Sequence, residues 1–404
     1  AVARRRPSFR AYVRRRWRLL GLVLVLLAGA LLVLVVTDRG HDPVWEARGA
    51  GIDQAVPSPD GALVYTLIHE GGSITRLEAR HGSDGTLVWQ SGVTATRALL
   101  RASTDGVAVA TDFPRAFLTV YAPDGAPRFQ LALEGNPQAM TYEGGRLSLA
   151  LQALGNPVLQ FEDGTAVRTL RFASLVNALD MRDGRLAVGT GSGDVLLFDA
   201  DGREALNVSL AMSVRSVRVS SDASVVLAGG YSLVPGDLSG ALALLEPGMA
   251  QPLRWQKPTD VGIGLVGLDQ AGLLAFALEE SPPRYQALMF DAGTGAPRWS
   301  RTLDGIVPRD DAGAFGAAAL APDGSTVVVA SLRGPISAFD AASGAPRWSY
   351  DSEGSTLVAF ADHAPDHFVA NGRLSAAGDA DALFLFSDAN EPAAGRFGLV
   401  AAGI

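Results

Sequence analysis

The sequence predicts an all-β fold, an eight-bladed β-propeller, preceded by one N-terminal transmembrane helix. Three observations lead to this prediction. Short apolar runs alternate with turns that draw on 46 Gly and 22 Pro spread along the chain. A string containing Asp, Gly and a large apolar residue recurs about every 43 residues, the period of a four-stranded propeller blade. A separate apolar run near the N-terminus is long enough to span a bilayer.

The N-terminal region is predicted to be a basic cytoplasmic tail, residues 1–18, followed by a transmembrane helix, residues 19–37. The tail contains eight arginines and no acidic residue. The segment from Leu19 to Val36 has no charged or polar side chain, and a helix of that length spans about 27 Å. Because all the positive charge precedes the span, we expect the N-terminus to stay cytoplasmic.

A cleaved signal peptide is the alternative interpretation of this segment. It requires a small-residue cleavage site after the apolar run, whereas the A-x-A string of this segment, residues 28–30, lies inside the run. An uncleaved anchor in the cytoplasmic (inner) membrane is therefore favoured. The propeller, residues 38–390, would then be periplasmic or extracellular, and residues 391–404 would form a C-terminal tail.

Charge and cysteine content exclude several classes of function. The chain carries a net charge of −8, but outside its N-terminal tail 26 basic residues stand against 42 acidic ones, a balance of −16. Such an acidic body repels nucleic acid, so no nucleic-acid partner is expected. The chain has no cysteine, which excludes disulfides and thiolate metal sites.

The recurring string is clearest in FDAGTGAPRWS, residues 290–300, and FDAASGAPRWS, residues 339–349. Its Asp can accept hydrogen bonds from the following turn, and its Gly supplies the positive φ of a tight hairpin. Its Trp then falls on the outer strand, where it can pack against the neighbouring blade. The predicted docking residues are Asp291, Thr294, Gly295, Trp299, Asp340, Ser343, Gly344 and Trp348, with Trp89 and Trp255 from weaker copies and Trp45 from the N-terminal segment.

The two ends of the propeller are predicted to meet in one blade. The last apolar strand, DALFLF at residues 381–386, is followed by no Trp, whereas Trp45 has no blade of its own before it. We infer that the N-terminal segment supplies the outer strand of the last blade, which pairs sheet edges that would otherwise be exposed. The count is then eight blades. Seven is the alternative if a degenerate copy, residues 157–170 above all, is misread.

The string DAGTGAPRW, residues 291–299, resembles the tryptophan-docking motif of quinoprotein (PQQ-type) β-propellers, D-x-x-T-G-x-x-x-W. The Asp-containing turns, such as residues 57–61, are similar to those of WD40-like propellers. As an architecture the resemblance covers roughly residues 42–390. The family contains quinone-dependent dehydrogenases and non-enzymatic members, among them the eight-bladed propeller of the outer-membrane β-barrel assembly machine. Because many of the dehydrogenases use a Cys pair that this chain lacks, the resemblance favours the non-enzymatic members.

Candidate site residues are few. DHAPDH, residues 362–367, contains the only weak metal candidates, Asp362, His363, Asp366 and His367. Pro365 prevents a helix that would present both histidines on one face, and we predict a solvated loop between strands. No catalytic residue, cofactor or metal is predicted. The expected function is a non-catalytic interaction scaffold or accessory subunit with membrane or envelope protein partners. The alternative is a propeller that binds a small molecule at its axis, as a quinone-dependent dehydrogenase-like enzyme or a sensor.

Overall fold

A computed structural model gives the fold of the chain, which divides into two compact units, residues 1–41 and 42–404. The structure describes residues 43–49, 51–70, 72–281, 284–304, 318–330, 335–350, 357–373 and 381–387, all in the second unit. The predicted basic tail, transmembrane helix and C-terminal tail lie outside these residues. Within the described ranges, no helix has the length and apolar character needed to cross a bilayer.

The second unit consists of eight antiparallel sheets of four strands each, as the repeat predicts, and this excludes the seven-bladed alternative. Blades 1 to 4 comprise β2 (Gly51–Pro57), β3 (Leu63–Glu70), β4 (Ser73–His81) and β5 (Leu87–Ala95); β6 (Ala98–Ser103), β7 (Gly106–Thr111), β8 (Phe117–Tyr121) and β9 (Pro127–Ala132); β10 (Asn136–Glu143), β11 (Arg146–Gln152), β12 (Pro157–Glu162) and β13 (Thr165–Arg171); and β14 (Val176–Arg182), β15 (Arg185–Thr190), β16 (Asp194–Phe198) and β17 (Glu204–Ser209).

Blades 5 to 8 repeat the same meander. They comprise β18 (Met212–Val219), β19 (Val226–Ser232), β20 (Gly240–Leu245) and β21 (Leu253–Thr259); β22 (Ile263–Leu268), β23 (Leu274–Ser281), β24 (Arg284–Asp291) and β25 (Pro297–Asp304); β26 (Ala318–Leu320), β27 (Thr326–Val329), β28 (Ile336–Asp340) and β29 (Pro346–Tyr350); and β30 (Val358–Ala361), β31 (Ala364–Arg373) and β32 (Asp381–Ser387) with β1 (Trp45–Gly49).

The ring is closed by the N-terminal strand. β1 pairs antiparallel with β32, with Trp45 opposite Leu385 and Ala47 opposite Leu383, so that β1 is the outer strand of blade 8. Trp45 thus lies on the strand expected for it from the sequence. The first strand of each blade contacts the first strand of the next, and β30 of blade 8 contacts β2 of blade 1. Closure therefore leaves no blade without a neighbour.

Burial is high in the inner strands of a blade and low in its outer strand. The second strand of blade 2, β7, is buried along its whole length because neighbouring blades cover both of its faces. The outer strand β13 alternates between exposed and half-buried residues, since only one of its faces packs against another blade. The apolar core accordingly lies between blades, with aliphatic side chains of one sheet facing those of the next.

Strand direction defines two faces of the ring. The connections from first to second strand and from third to fourth strand lie at one end of each blade, here called the turn face. The connections from second to third strand, and those between blades, lie at the other end, here called the loop face. The Asp–Gly turns of the described ranges belong to the turn face. Because β1 is a fourth strand, the chain enters the propeller at the turn face, at Val44.

Candidate functional sites: blade joints and axial channel

The first strong copy of the motif forms a tight hairpin between β24 and β25. The Asp291 carboxylate accepts hydrogen bonds from the Thr294 backbone N–H at 3.0 Å and the Thr294 hydroxyl at 2.9 Å. Its second oxygen accepts one from the Arg298 guanidinium at 2.8 Å. These bonds to the Arg298 and Thr294 side chains lower the pKa of Asp291. Gly295 takes φ +66°, a conformation that favours glycine.

The second copy repeats this geometry between β28 and β29. The Asp340 carboxylate accepts hydrogen bonds from the Ser343 hydroxyl at 2.7 Å, the Ser343 N–H at 2.8 Å and the Arg347 guanidinium at 3.0 Å. The Ser343 hydroxyl, followed by Arg347, lowers the pKa of Asp340 to about 2. Gly344 has φ +69°. Serine thus supplies the same hydroxyl that threonine supplies in the first copy.

The predicted tryptophans join one blade to the next. In each joint the indole N–H donates to a backbone carbonyl in the third-to-fourth-strand turn of the following blade. The indole ring lies against the glycine of that turn, where a Cβ would come within 3.0 Å of ring atoms. The four pairs are Trp45 to Gly82 O at 2.8 Å, Trp89 to Pro123 O at 2.8 Å, Trp255 to Ala292 O at 2.7 Å and Trp299 to Ala341 O at 2.8 Å, over Gly85, Gly125, Gly295 and Gly344 respectively.

Trp348 joins its blade to the next in a different way. Its ring stacks on Phe368 and Phe386 of blade 8, with centroid separations of 5.7 and 5.6 Å. Blade 8 is built from both chain ends, so its third and fourth strands are not joined by an Asp–Gly hairpin. An aromatic stack therefore forms this joint.

Two further joints use side chains other than Trp. Phe129 of blade 2 lies against Gly164 of blade 3 in the place of an indole. Arg168 of blade 3 lies against Gly202 of blade 4, and its guanidinium donates to the Asp201 carbonyl. Arg168 was not among the predicted docking residues, because the recurring string has a large apolar residue at this position in its other copies. Arginine can replace the indole because its planar guanidinium also provides a flat surface with an N–H donor.

An axial channel is the second candidate site. Its cavity has a volume of about 460 Å³ and is lined by the first strands of all eight blades. Charged side chains enter it from several blades, among them Arg101, Glu143, Asp180 and Arg218. Asp180 is buried, and its carboxylate accepts a hydrogen bond from the Val219 backbone N–H at 2.8 Å.

An ion pair crosses the turn-face end of the channel. The Arg182 guanidinium of blade 4 donates to both carboxylate oxygens of Asp362 in blade 8, at 2.9 and 3.2 Å. The Asp362 carbonyl also accepts a hydrogen bond from the Gln270 side chain at 2.7 Å. Burial by itself would raise the pKa of Asp362, but Arg182 lowers it below its ordinary value, and Asp362 raises the pKa of Arg182. Both groups are therefore charged at neutral pH.

Two arginines inside the channel repel each other. Burial, and after it the charge of Arg218, lower the pKa of Arg101 to about 9, while Asp180 acts in the opposite direction. Arg101 is nevertheless protonated at neutral pH. Burial also raises the pKa of Glu143. The channel wall thus combines cationic and anionic groups, a composition that can bind a small polar or anionic molecule.

The residues proposed as weak metal ligands are not gathered into one site. Asp362 and His363 form the turn between β30 and β31, and β31 begins at Ala364. The prediction of a solvated loop is therefore wrong for residues 364–367, which begin β31, because Ala364 pairs with Ala361 of β30 and His367 with Ser387 of β32. The His367 ring lies 2.9 Å from the Asp366 carboxylate, while Asp362 binds Arg182. In the part of the chain that the structure describes, no three His, Cys, Asp or Glu residues are placed to hold a metal ion.

The charged residues of the channel were not predicted from the sequence. Each of these charged residues lies in a strand of mostly apolar or small residues that resembles an ordinary core strand. They are Arg101, Asp180, Arg182 and Arg218. The available signal was a charged residue near the C-terminal end of several first strands. Only closure of the ring brings these distant residues to one axis.

The chain is similar to one family model and to solved β-structures. Residues 285–390 match the family model described as outer membrane protein assembly factor BamB. Among solved structures, the computationally designed Ika8 protein superposes with a TM-score of 0.58 at 13% identity, covering 86% of this chain and 97% of that one. Hsv2 from Kluyvelomyces marxianus superposes with a TM-score of 0.52 at 10% identity, covering 72% and 93%.

At these identities the two structures show the fold alone. No curated protein has a significant sequence match to the chain. The matched residues run from the third strand of blade 6 into blade 8 and include both strong copies of the docking motif. The match to the family model covers about a quarter of the chain and is a similarity over that stretch, while the eight sheets show the β-propeller fold.

Proposed function

We propose that this chain is a membrane-anchored, non-catalytic β-propeller that acts as an interaction scaffold or accessory subunit of a larger membrane or envelope complex. The observation that carries the proposal is the match of residues 285–390 to a family model whose description names an assembly factor. The repeated joints support it, since Trp299 and its counterparts tie the blades into a rigid ring. A rigid ring holds its surface loops in fixed positions, which lowers the entropic cost of binding.

The proposed anchor is the apolar segment from Leu19 to Val36, in the cytoplasmic (inner) membrane, with the propeller periplasmic or extracellular. An alkaline wash of isolated membranes tests it: the full chain should stay in the membrane fraction. A variant carrying both Leu26→Arg and Leu27→Arg should be released, because charged side chains at mid-span disfavour insertion. Release of the unmodified protein, or a mature N-terminus inside the apolar run, would contradict an uncleaved anchor.

The proposed partners are other membrane or envelope proteins. The test is affinity purification of the tagged full chain from membranes in mild detergent, followed by quantitative mass spectrometry. We expect one or a few membrane or envelope proteins to co-purify in amounts comparable to the chain. A chain that elutes alone, at a size matching one propeller, would argue against the scaffold.

A small-molecule-binding propeller is the second candidate, and a specific observation favours it. Arg101 and Arg218 face a cavity of about 460 Å³ and repel each other, so a bound anion would be attracted to both. Denaturing the purified protein and analysing the supernatant by mass spectrometry and absorbance tests this candidate. A stoichiometric small molecule that is lost in Arg101→Met and Arg218→Met would favour this candidate over the scaffold.

A further inference from the structure

Several exposed apolar side chains lie in the second-to-third-strand loops of the loop face. Phe113 in blade 2 is 66% exposed and Leu154 in blade 3 is 95% exposed. The corresponding loop of blade 5 also exposes Leu233, Val234 and Leu238. Most turn-face hairpins are polar Asp–Gly turns, although Met249 and Leu273 are exposed in two of them. Exposing apolar groups to water is unfavourable, so apolar tips on two neighbouring blades, Phe113 and Leu154, point to a covered surface.

The loop that carries Phe113 is held in place by its own hydrogen bonds. The Asp112 carboxylate accepts from the Arg97 backbone N–H at 2.8 Å and from the Phe113 N–H at 2.6 Å. The Asp112 N–H in turn donates to the Arg97 carbonyl at 3.2 Å. These bonds tie the loop to the link between blades 1 and 2. The exposed ring is therefore pre-organised, as the aromatic anchor of a binding surface requires.

The turn that carries Leu154 is fixed in a comparable way. The Asn156 N–H donates to the Ala153 carbonyl at 3.0 Å, which closes the turn around Leu154. The Arg171 guanidinium donates to the Leu154 carbonyl at 3.1 Å. The side chain of Leu154 consequently projects into solvent from a backbone held on both sides. Two rigid apolar tips thus lie on neighbouring blades of the same face.

Basic side chains border these tips. Three exposed arginines lie at the loop-face end of these blades: Arg115 in the Phe113 loop, Arg97 in the link between blades 1 and 2, and Arg171 at the end of β13. Acidic residues at the same end are Glu134 and Asp112, and the Asp112 carboxylate accepts hydrogen bonds from the Arg97 and Phe113 backbone N–H groups. This local balance differs from the rest of the molecule, where acidic residues predominate. A complementary surface would be apolar with acidic residues around it.

A protein fits this surface better than a lipid bilayer does. A body with a charge balance of −16 is repelled by anionic lipid even if a few arginines attract it. In addition, Val44, at the start of the described chain, lies on the turn face, opposite the face that carries Phe113 and Leu154.

We propose that the tips of blades 2 and 3, Phe113 and Leu154 with the bordering Arg97, Arg115 and Arg171, form the docking surface for a protein partner that presents an acidic, apolar segment. This inference rests on the proposed scaffold function and adds to it the face and the chemistry of the partner. Phe113 and Leu154 supply the buried centre of the interface, and the arginines supply a polar rim that selects acidic partners.

Site-specific photo-crosslinking in intact cells tests the surface. A benzophenone amino acid replaces Phe113, Leu154 or, as a control, Leu273, which is 63% exposed in a first-to-second-strand turn of the opposite face. We expect positions 113 and 154 to yield an adduct with the same membrane or envelope protein, about tenfold above the yield from position 273. The variant with Phe113→Asp and Leu154→Asp should retain about tenfold less of that protein, while Leu273→Asp retains all of it.

The outcomes separate this inference from the function on which it rests. Equal adduct yields from all three positions, or adducts only with phospholipid or with a second copy of the chain, would overturn the docking surface. A partner that co-purifies with the chain but gives no adduct at positions 113 and 154 would also overturn it and leave the scaffold standing. If no protein co-purifies and no adduct forms, both proposals fail together. Arg115→Glu should weaken partner retention several-fold, and a stronger retention would contradict an acidic partner.

Discussion

Arg182 and Asp362 form a bidentate ion pair that joins blade 4 to blade 8, on opposite sides of an eight-bladed ring. The two residues are 180 positions apart in the chain. The pair lies at the end of the first strands, where the Asp362 backbone also accepts a bond from Gln270. It therefore links blade 8, which contains both ends of the propeller, to blade 4 on the other side of the ring.

Removing one member of this pair should destabilise the propeller. Asp362→Asn leaves the Arg182 charge half-buried without its carboxylate, and we expect a loss of about 1–2 kcal/mol in the free energy of unfolding, less than for a fully buried pair because Asp362 is partly exposed. Urea denaturation measures it. The control is Asp201→Asn, which breaks the exposed pair with Arg203 and should change stability by less than about 0.5 kcal/mol. Equal effects of the two variants would contradict a structural role for the pair.

The contact between an indole and a glycine can be measured at Gly344. Gly344→Ala places a Cβ 2.7 Å from the Trp299 ring at a φ of +69°, so it combines a steric clash with backbone strain. Gly248→Ala is the matched control, since Gly248 has φ +83° and nothing lies within 4 Å of its Cβ position. We expect about 1 kcal/mol of destabilisation at Gly248 and at least about 2–3 kcal/mol at Gly344 in urea denaturation. Similar values at both positions would mean that Trp299 moves freely.

Ring closure should depend on Trp45. Trp45→Ala removes a buried indole and its hydrogen bond to the Gly82 carbonyl, and we expect a loss of about 3–5 kcal/mol. Trp45→Phe keeps most of the apolar contact and should cost about 1 kcal/mol. Hydrogen exchange of β32 amides reports detachment of β1 and should accelerate in Trp45→Ala more than exchange of β20. Uniform acceleration over all blades would instead indicate that β1 does not open separately.

The motif carboxylate at Asp340 predicts a pH dependence of stability. Its pKa in the folded protein is lowered to about 2, first by the Ser343 hydroxyl and then by Arg347. The stabilisation is therefore complete above the unfolded pKa of about 4 and is lost as the pH falls through about 2. The free energy of unfolding of the unmodified protein should exceed that of Asp340→Asn by about 1 kcal/mol at neutral pH, and this difference should shrink only below about pH 4. A difference in unfolding free energy that stays constant down to pH 2 would contradict a lowered pKa of Asp340.

The blade joints show how much of the fold the sequence allowed us to predict. Asp291 and Asp340 are recognisable because their turns need a local acceptor, a hydroxyl and a glycine at fixed spacing. The joint at Arg168 was missed, since a guanidinium can replace an indole and no local rule distinguishes it from a surface arginine. The turn at Asp362 was predicted as a solvated loop because its partner, Arg182, is distant in sequence.

The sequence by itself determined the period, the type of turn and the count of eight blades, including the strand that Trp45 contributes from the N-terminal end. These properties depend on residues close together in the chain, so they repeat wherever the local pattern repeats. Tertiary structure alone decided which charges meet at the axis, as at Arg182 and Asp362, and which apolar tips share a face, as at Phe113 and Leu154. These relationships arise when the ring closes, because closure brings residues of separate blades to a common axis or a common face.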